Sequence, residues 1–458
     1  MSPRLDQSPQ SLVSLSPSPS APSTTPPRRS TVAIRLDAMA APLPRLSDIP
    51  PASAAPADRS PEPATPIVPP RFYNAESARA AHGHRADLLA PALLRGDPLA
   101  DAVVEAFVQL PAGRGWKMLT TALDHGIDAV PDAPPALVAL FREVDAVPMW
   151  VDWDELAVGG AAFMRTGMLG LLTLMCFSLP MAYAIADGNK PLTFSGKLVA
   201  RAARRLNETG KFVIETCRPG GLRRFGDGFK ITIKVRLMHA QMRRLLVRSG
   251  KWNHDQWALP INQADMTATN VTFSAVVLRG LRQLGFHYTA RESAAVIALW
   301  RYSGWLIGVE PGLLCATEEE AVRLAELVWM TRNRADDDSR QLVDALMSCP
   351  LVPPLDKVGN VRGLLQAIAR TMIGDELADE LQLRRTRART LVSVMRVGVR
   401  TGELARRVVP GVDRMMLDAG QKLWEHVVTT GLAGQPAEFR MPASLQESRS
   451  STQANAVA

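Results

Sequence analysis

Four side chains on two neighbouring stretches carry the chemistry of this sequence: Arg205, Glu208, Thr209 and His239. Arg205 and Thr209 are four residues apart, which sets a guanidinium and a hydroxyl on one face of a helix. His239 stands in the run Arg236-Leu-Met-His-Ala-Gln-Met-Arg243. Around it Ile231, Val235, Met238, Met242, Leu245 and Leu246 recur at three- and four-residue intervals, the rhythm of a buried helical stripe. An imidazole inside such a stripe needs a hydrogen-bond acceptor or a metal, and the spacing leaves both open.

The elements that position these groups read as helices. One runs from Ser195, a suitable cap, to about Arg218, and a second from about Gly228 to Ser249; Pro219-Gly220-Gly221 breaks the chain between them. Ahead of them Gly167–Ala186 is an uncharged stretch of bilayer length. Pro180 and its glycines weaken a spanning reading, and the stretch is expected to be the buried core helix on which the Arg205 and His239 helices pack. Asp187-Gly-Asn-Lys-Pro191 reads as a turn. Further helices are expected over Pro98–Leu110, Trp116–His125, Pro134–Val144, Trp153 to about Thr166 and, in one piece, Asp265–Leu284. Thr289-Ala-Arg-Glu292 and Thr317-Glu-Glu-Glu320 open two more. Leu342–Met347, Val361–Ile373, Thr386–Val399 and Val412–Val428 complete the series. Ile231-Thr-Ile is the one alternating run, and it merges into the His239 helix, so the expected class is all-α.

Apolar residues at 47% and charged residues at 21% describe a globular chain with a substantial core. Residues 1–70, rich in Ser, Pro and Ala, and residues 434–458 are expected to be disordered tails, leaving 71–433 as one large helical domain. The net charge of +8 is a spread surplus of Arg, and aromatics are only 5%, so no nucleic-acid partner is expected. Solubility is the main reading of that charge, with acidic partners or peripheral contact with an anionic membrane as the lesser one. Cys176, Cys217, Cys315 and Cys349 are scattered and read as core thiols of a reducing compartment. Arg28-Arg29 lacks a following apolar region, so the expected location is the cytoplasm, with membrane association or export as the weaker alternative. Walker and Gly-x-Gly-x-x-Gly patterns are absent, which argues against nucleotide cofactors.

The ordered series Arg205, Thr209, His239 resembles the pattern of the latex-clearing-protein (rubber oxygenase) and MpaB-type oxygenase family. Pro148-Met-Trp-Val-Asp152 is similar to that family's entry segment, and Trp257-Ala-Leu-Pro-Ile-Asn-Gln263 to its Pro…Gln segment. Leu281, Leu284, Gly285, Thr289, Glu292, Trp300, Gly304 and Gly308 resemble its next two helices, so the likeness spans about residues 140–320. It implies a haem b-dependent oxygenase with a globin-like haem pocket, acting with dioxygen on an apolar small-molecule or polymer substrate of alkene or isoprenoid type. His239 would be the proximal iron ligand, with Met238 and Met242 as packing walls. Arg205 would face the haem and Thr209 offer a hydroxyl, while Arg236 and Arg243 are further propionate candidates, or an exposed basic face. Two departures stand out. The rubber-cleaving members carry a Lys before the Thr, a distal ligand in their closed state, where this chain has Glu208. They also carry a catalytic Glu upstream of the Arg, and here none occurs between Glu155 and Glu208. Either Glu208 or Asp187 takes over the acid–base role, or the reaction differs and polyisoprene cleavage does not carry over; the alternative function is a non-catalytic haem-binding or gas-sensing protein.

Overall fold

Two glycines set how closely the central helices approach. Gly159 and Gly160 sit side by side on the helix Trp153–Met164. A Cβ on Gly159 would strike the Ala295 carbonyl of the helix Ala290–Leu306, and one on Gly160 the Cys217 carbonyl of the helix Leu198–Cys217. The Trp153–Met164 helix is thereby wedged backbone to backbone between two others, and Leu156, Phe163 and Met164 are buried with it.

The structure is a computed structural model that describes residues 68–194, 198–349, 360–385 and 389–432. All lie in one unit, Pro63–Ala458. Among the described residues there are helices and turns and no strand, so the chain is all-α. The expected tails, the Ser195 cap and the Thr386 helix start fall outside the described residues, apart from 68–70 of the first tail.

Helices Ala75–His82, His84–Ala92, Pro98–Val108, Arg114–His125 and Pro135–Asp145 precede the wedge. Asp97 caps the third through the Ala100 amide, with Pro98 at its first position. The hairpin Leu198–Cys217 and Asp227–Arg248 follows, then Gln263–Phe273, Ala275–Gln283, Ala290–Leu306 and Glu318–Met330. These build one hydrophobic cluster around Phe141, Phe163, Leu237, Trp300 and Tyr302. A second cluster joins Met175 and Phe177 to Val343, Leu365, Met372 and Leu377 from helices Asp337–Met347, Val361–Ile373 and Asp375–Glu380. Arg389–Val408 and Val412–Gly431 close the described chain.

Four expectations are corrected. The apolar stretch is buried, with Leu172 through Pro180 all in the interior, but it is a helix from Met168 to Tyr183 with a π-turn over Leu174–Ser178. The wide turn falls just before Pro180, whose ring nitrogen cannot donate to the preceding turn. Its main contacts are with Val361–Ile373 and Ala275–Gln283 in the second cluster, not with the Arg205–His239 hairpin. Asp187 to Pro191 lies inside a short helix, Ala186–Thr193. Lys190 bonded to Asp336 (2.6 Å) and Asp338 (2.5 Å) holds that helix despite its proline. The 265–284 helix is broken at Ser274, whose hydroxyl bonds back to the Asn270 carbonyl at 3.0 Å. No single helix among the described residues is long and apolar enough to cross a membrane. One pair, Trp153–Met164 with Met168–Tyr183, passes by length and composition and is bent by 82°.

Candidate active site

The Arg205 and His239 helices form a hairpin closed at its turn. The Phe229 amide donates to the Gly221 carbonyl at 2.8 Å, and Gly228 lies against the Glu215 carbonyl. Arg205 is ten residues back from Glu215 (215 − 205), and His239 eleven on from Gly228 (239 − 228). Each is therefore about 15 Å along its own helix from that contact, so the two lie level.

His239 is half-buried on the hairpin, but its Nδ1 is sealed from solvent with no hydrogen-bond partner. Burial pushes its pKa down to about 4; Arg243, one turn on, adds to the shift and Asp97 opposes it. The ring is neutral at physiological pH and keeps a nitrogen lone pair. Met238 and Met242 flank it, both half-buried. The Arg205 guanidinium donates to the Leu192 carbonyl at 3.0 Å, tying this helix to the end of Ala186–Thr193. Thr209 is half-buried one turn along. One turn further Phe212 meets the Trp300 ring (6.1 Å between centroids), which stacks on Phe273 at 5.1 Å. Glu208 accepts from Arg204 Nε at 3.1 Å.

The two arginines that bracket His239 are buried, not a solvated basic face. Arg236 donates to both oxygens of Asp97, at 2.6 and 3.0 Å, and to Glu143 at 2.9 Å. Arg243 donates to Asp101 at 2.6 Å and to the Ile261 carbonyl at 2.9 Å. Asp187 is also buried, and accepts from the Tyr73 hydroxyl at 3.2 Å. Burial raises its carboxyl above the ordinary value, against the pull of Arg71 and the Tyr73 bond. It borders a cavity of about 40 Å³, beside Arg71 and Asp265, with room for about one water.

Two residues escaped the sequence reading, Asp97 and Asp101, which engage the arginines around His239; Gln263 figures there only as part of a segment, without a role. The Gln263 amide donates to the Gly96 and Gly308 carbonyls (2.8 and 2.9 Å) and accepts from the Glu310 amide (2.9 Å), lashing three loops together. The acids stand in an unremarkable helix start more than 130 residues away, and no local signal marks them. Among the described residues no group of three or more His, Cys, Asp or Glu could hold a metal ion.

Residues 153–406 match the family described as ER-bound oxygenase mpaB/B'/rubber oxygenase, catalytic domain, which is more than half of the chain. The chain belongs to this family. It is 26% identical over 292 residues to the rubber oxygenase of Streptomyces sp. (strain K30), covering 63% of this chain and 69% of that relative. Its fold is that of the latex clearing protein LCP in the closed state, with a TM-score of 0.54 at 21% identity over 73% of this chain and 91% of that one. The MpaB/rubber-oxygenase match contains Arg205, Glu208, Thr209 and His239 and makes an oxygenase the established class of activity. It begins after the helices Pro98–Val108 and Pro135–Asp145, whose acids hold Arg236 and Arg243. In this chain the site is therefore braced by helices outside the matched residues.

Proposed function

We propose that this oxygenase uses haem b, which His239 would hold through its iron, on an apolar alkene or isoprenoid substrate. The observation that carries the reading is the His239 ring, neutral, set in an apolar stripe and with a sealed nitrogen that no protein group satisfies. Among the described residues sixteen buried side-chain polar atoms lack a partner, and the His239 nitrogen is the one imidazole among them; a neutral imidazole in an apolar stripe is the kind of ligand iron takes. Haem also fits a chain whose described residues offer no multi-ligand metal cluster, since the porphyrin itself supplies most of the iron's ligands.

Haem b held there would supply the iron at which dioxygen is activated. The rest is the work of this chain's own groups. Met238 and Met242 keep water from the His239 ring. Burial keeps the ring a ligand rather than an imidazolium, and Arg243, fixed by Asp101, adds to that by repelling a proton. Arg205, level with His239, places a fixed positive charge where negative charge develops on a reacting group, and Thr209 adds a hydroxyl donor. Glu208, held by Arg204, is the nearest carboxylate in sequence to these two and is the proton-handling candidate. The Glu208 that stands in place of the family's Lys, and the missing upstream Glu, favour a second reading, a haem-binding or gas-sensing protein without turnover.

Purified full-length protein supplied with haem should show a Soret band with about one extractable haem per chain, and His239→Ala should lose it while keeping its helical circular dichroism. A colourless wild type sinks both readings. A haem-loaded wild type that consumes no oxygen with any alkene tested leaves the sensor reading in place.

A further inference from the structure

The helix Arg389–Val408 is buried on one face and apolar on the opposite, exposed one. Val392 and the paired Glu403 turn inward and are buried. On the other side Val394, Val397, Leu404 and Val408 are 69, 64, 61 and 69% exposed. At 3.6 residues per turn these four fall within a stripe of about 80°. Val409 and Met415 carry the apolar surface round the corner, where Met415 belongs to a shallow open groove along the start of the helix Val412–Gly431. Scattered exposed valines need no explanation, but an aligned stripe running into a groove marks a surface with a partner.

The charge beside the stripe says which partner. Arg400 and Arg407, both exposed and seven residues apart, run along one flank, and Arg414 and Lys422, with Asp418 as the one acid between them, line the adjoining surface. In sequence, residues 384–407 contain eight arginines and one acid, Glu403, a net of +7 (8 − 1) against +8 for the whole chain. The spread surplus expected from the sequence is thus concentrated in one segment. A second copy of the chain would bring the same positive charge face to face, and an uncharged hydrocarbon would leave the guanidinium groups unanswered. An anionic lipid surface satisfies both features.

We propose that the outward face of Arg389–Val408, with the adjoining groove, docks the protein on an anionic membrane surface. The helix lies in the plane of the headgroups, its four aliphatic side chains reach the acyl boundary, and Arg400 and Arg407 meet lipid phosphates. The proposal does not depend on the haem reading, because no residue of the stripe belongs to the His239 site.

The test is co-sedimentation of the full chain with phosphatidylcholine vesicles, with and without phosphatidylserine. Binding to the anionic vesicles should exceed binding to the neutral ones by roughly ten-fold and weaken as salt is raised. The double variant Leu404→Ser with Val408→Ser, and separately Arg407→Glu, should each lose about ten-fold in partitioning with the circular dichroism unchanged. The wild-type comparison of the two vesicle types stands even if a variant fails to fold. Equal binding to both vesicle types, no binding, or binding unchanged in folded variants overturns the proposal. A dimer that replaces vesicle binding, and that the same variants abolish in sedimentation velocity, would assign the face to a second copy.

Discussion

Arg236 shows how little a residue's neighbours in sequence say about its partners. It stands three residues before His239, where a basic face and a cofactor contact looked equally reasonable, yet its guanidinium is buried and engaged by Asp97 and Glu143. Those acids lie 139 and 93 residues away, so no periodicity points to them. Removing the arginine leaves Asp97, itself buried, as an uncompensated charge at a helix cap. Arg236→Leu should therefore cost about 3–5 kcal/mol of unfolding free energy in a urea titration. Arg244→Ala should stay within about 0.5 kcal/mol, because its partner Glu105 is half in solvent. Equal small losses would show that Asp97 rehydrates and that the pair does not brace the His239 helix. His239 itself was legible, as a polar side chain inside an apolar stripe, while the sealing of its Nδ1 needed coordinates.

At the scale of the element, legibility followed whether a helix end was set locally. The Thr289–Glu292 capping box was readable and is present in full, with each side chain bonded to the other's backbone amide. Val361–Ile373 has the bounds its pattern predicts. The break at Ser274, the π-turn before Pro180 and the helix over Asp187–Pro191 were not readable, because packing and distant ion pairs decide them. Glu292 does both kinds of work: it completes the capping box and bonds to Arg165 Nη1 at 2.6 Å. Burial alone would raise its carboxyl, but the bonds from Arg165 and Thr289 outweigh that and hold it below the usual 4.5. A depressed folded value means the stabilisation is complete above pH 4.5 and is lost as the pH falls through the folded value. Glu292→Gln keeps a capping side chain but strips the buried Arg165 of its best partner, leaving Asp413 at 3.3 Å. The variant should lose about 3 kcal/mol at neutral pH and show a flatter acid limb than wild type. Urea midpoints across the acid range check this. Parallel curves would mean that Asp413 replaces Glu292 fully.

The whole molecule has two hydrophobic clusters, and Gly280 lies on the seam between them. Its helix, Ala275–Gln283, feeds Val277, Leu278 and Leu281 into the first cluster. A Cβ on Gly280 would come within 2.6 Å of Thr173 Cγ2, 2.7 Å of Phe177 Cδ1 and 3.3 Å of Met372 Cε, side chains of the π-turn helix and of Val361–Ile373. Thr173 and Phe177 are buried and have nowhere to retreat. Alanine would improve helix propensity by about 1 kcal/mol, but overpacking at a filled contact costs about 1–3 kcal/mol, so Gly280→Ala should be destabilising on balance. Gly398→Ala is the control, because a Cβ there meets nothing within 4 Å, and it should stabilise by about 0.5–1 kcal/mol. If the seam is the weaker joint, hydrogen exchange in Gly280→Ala will quicken first in Asp337–Met347 and Val361–Ile373. The His239 helix, buried in the first cluster and tied through Arg236 and Arg243, will keep its protection. Exchange that quickens equally in all three helices would show that the two clusters open as one cooperative unit.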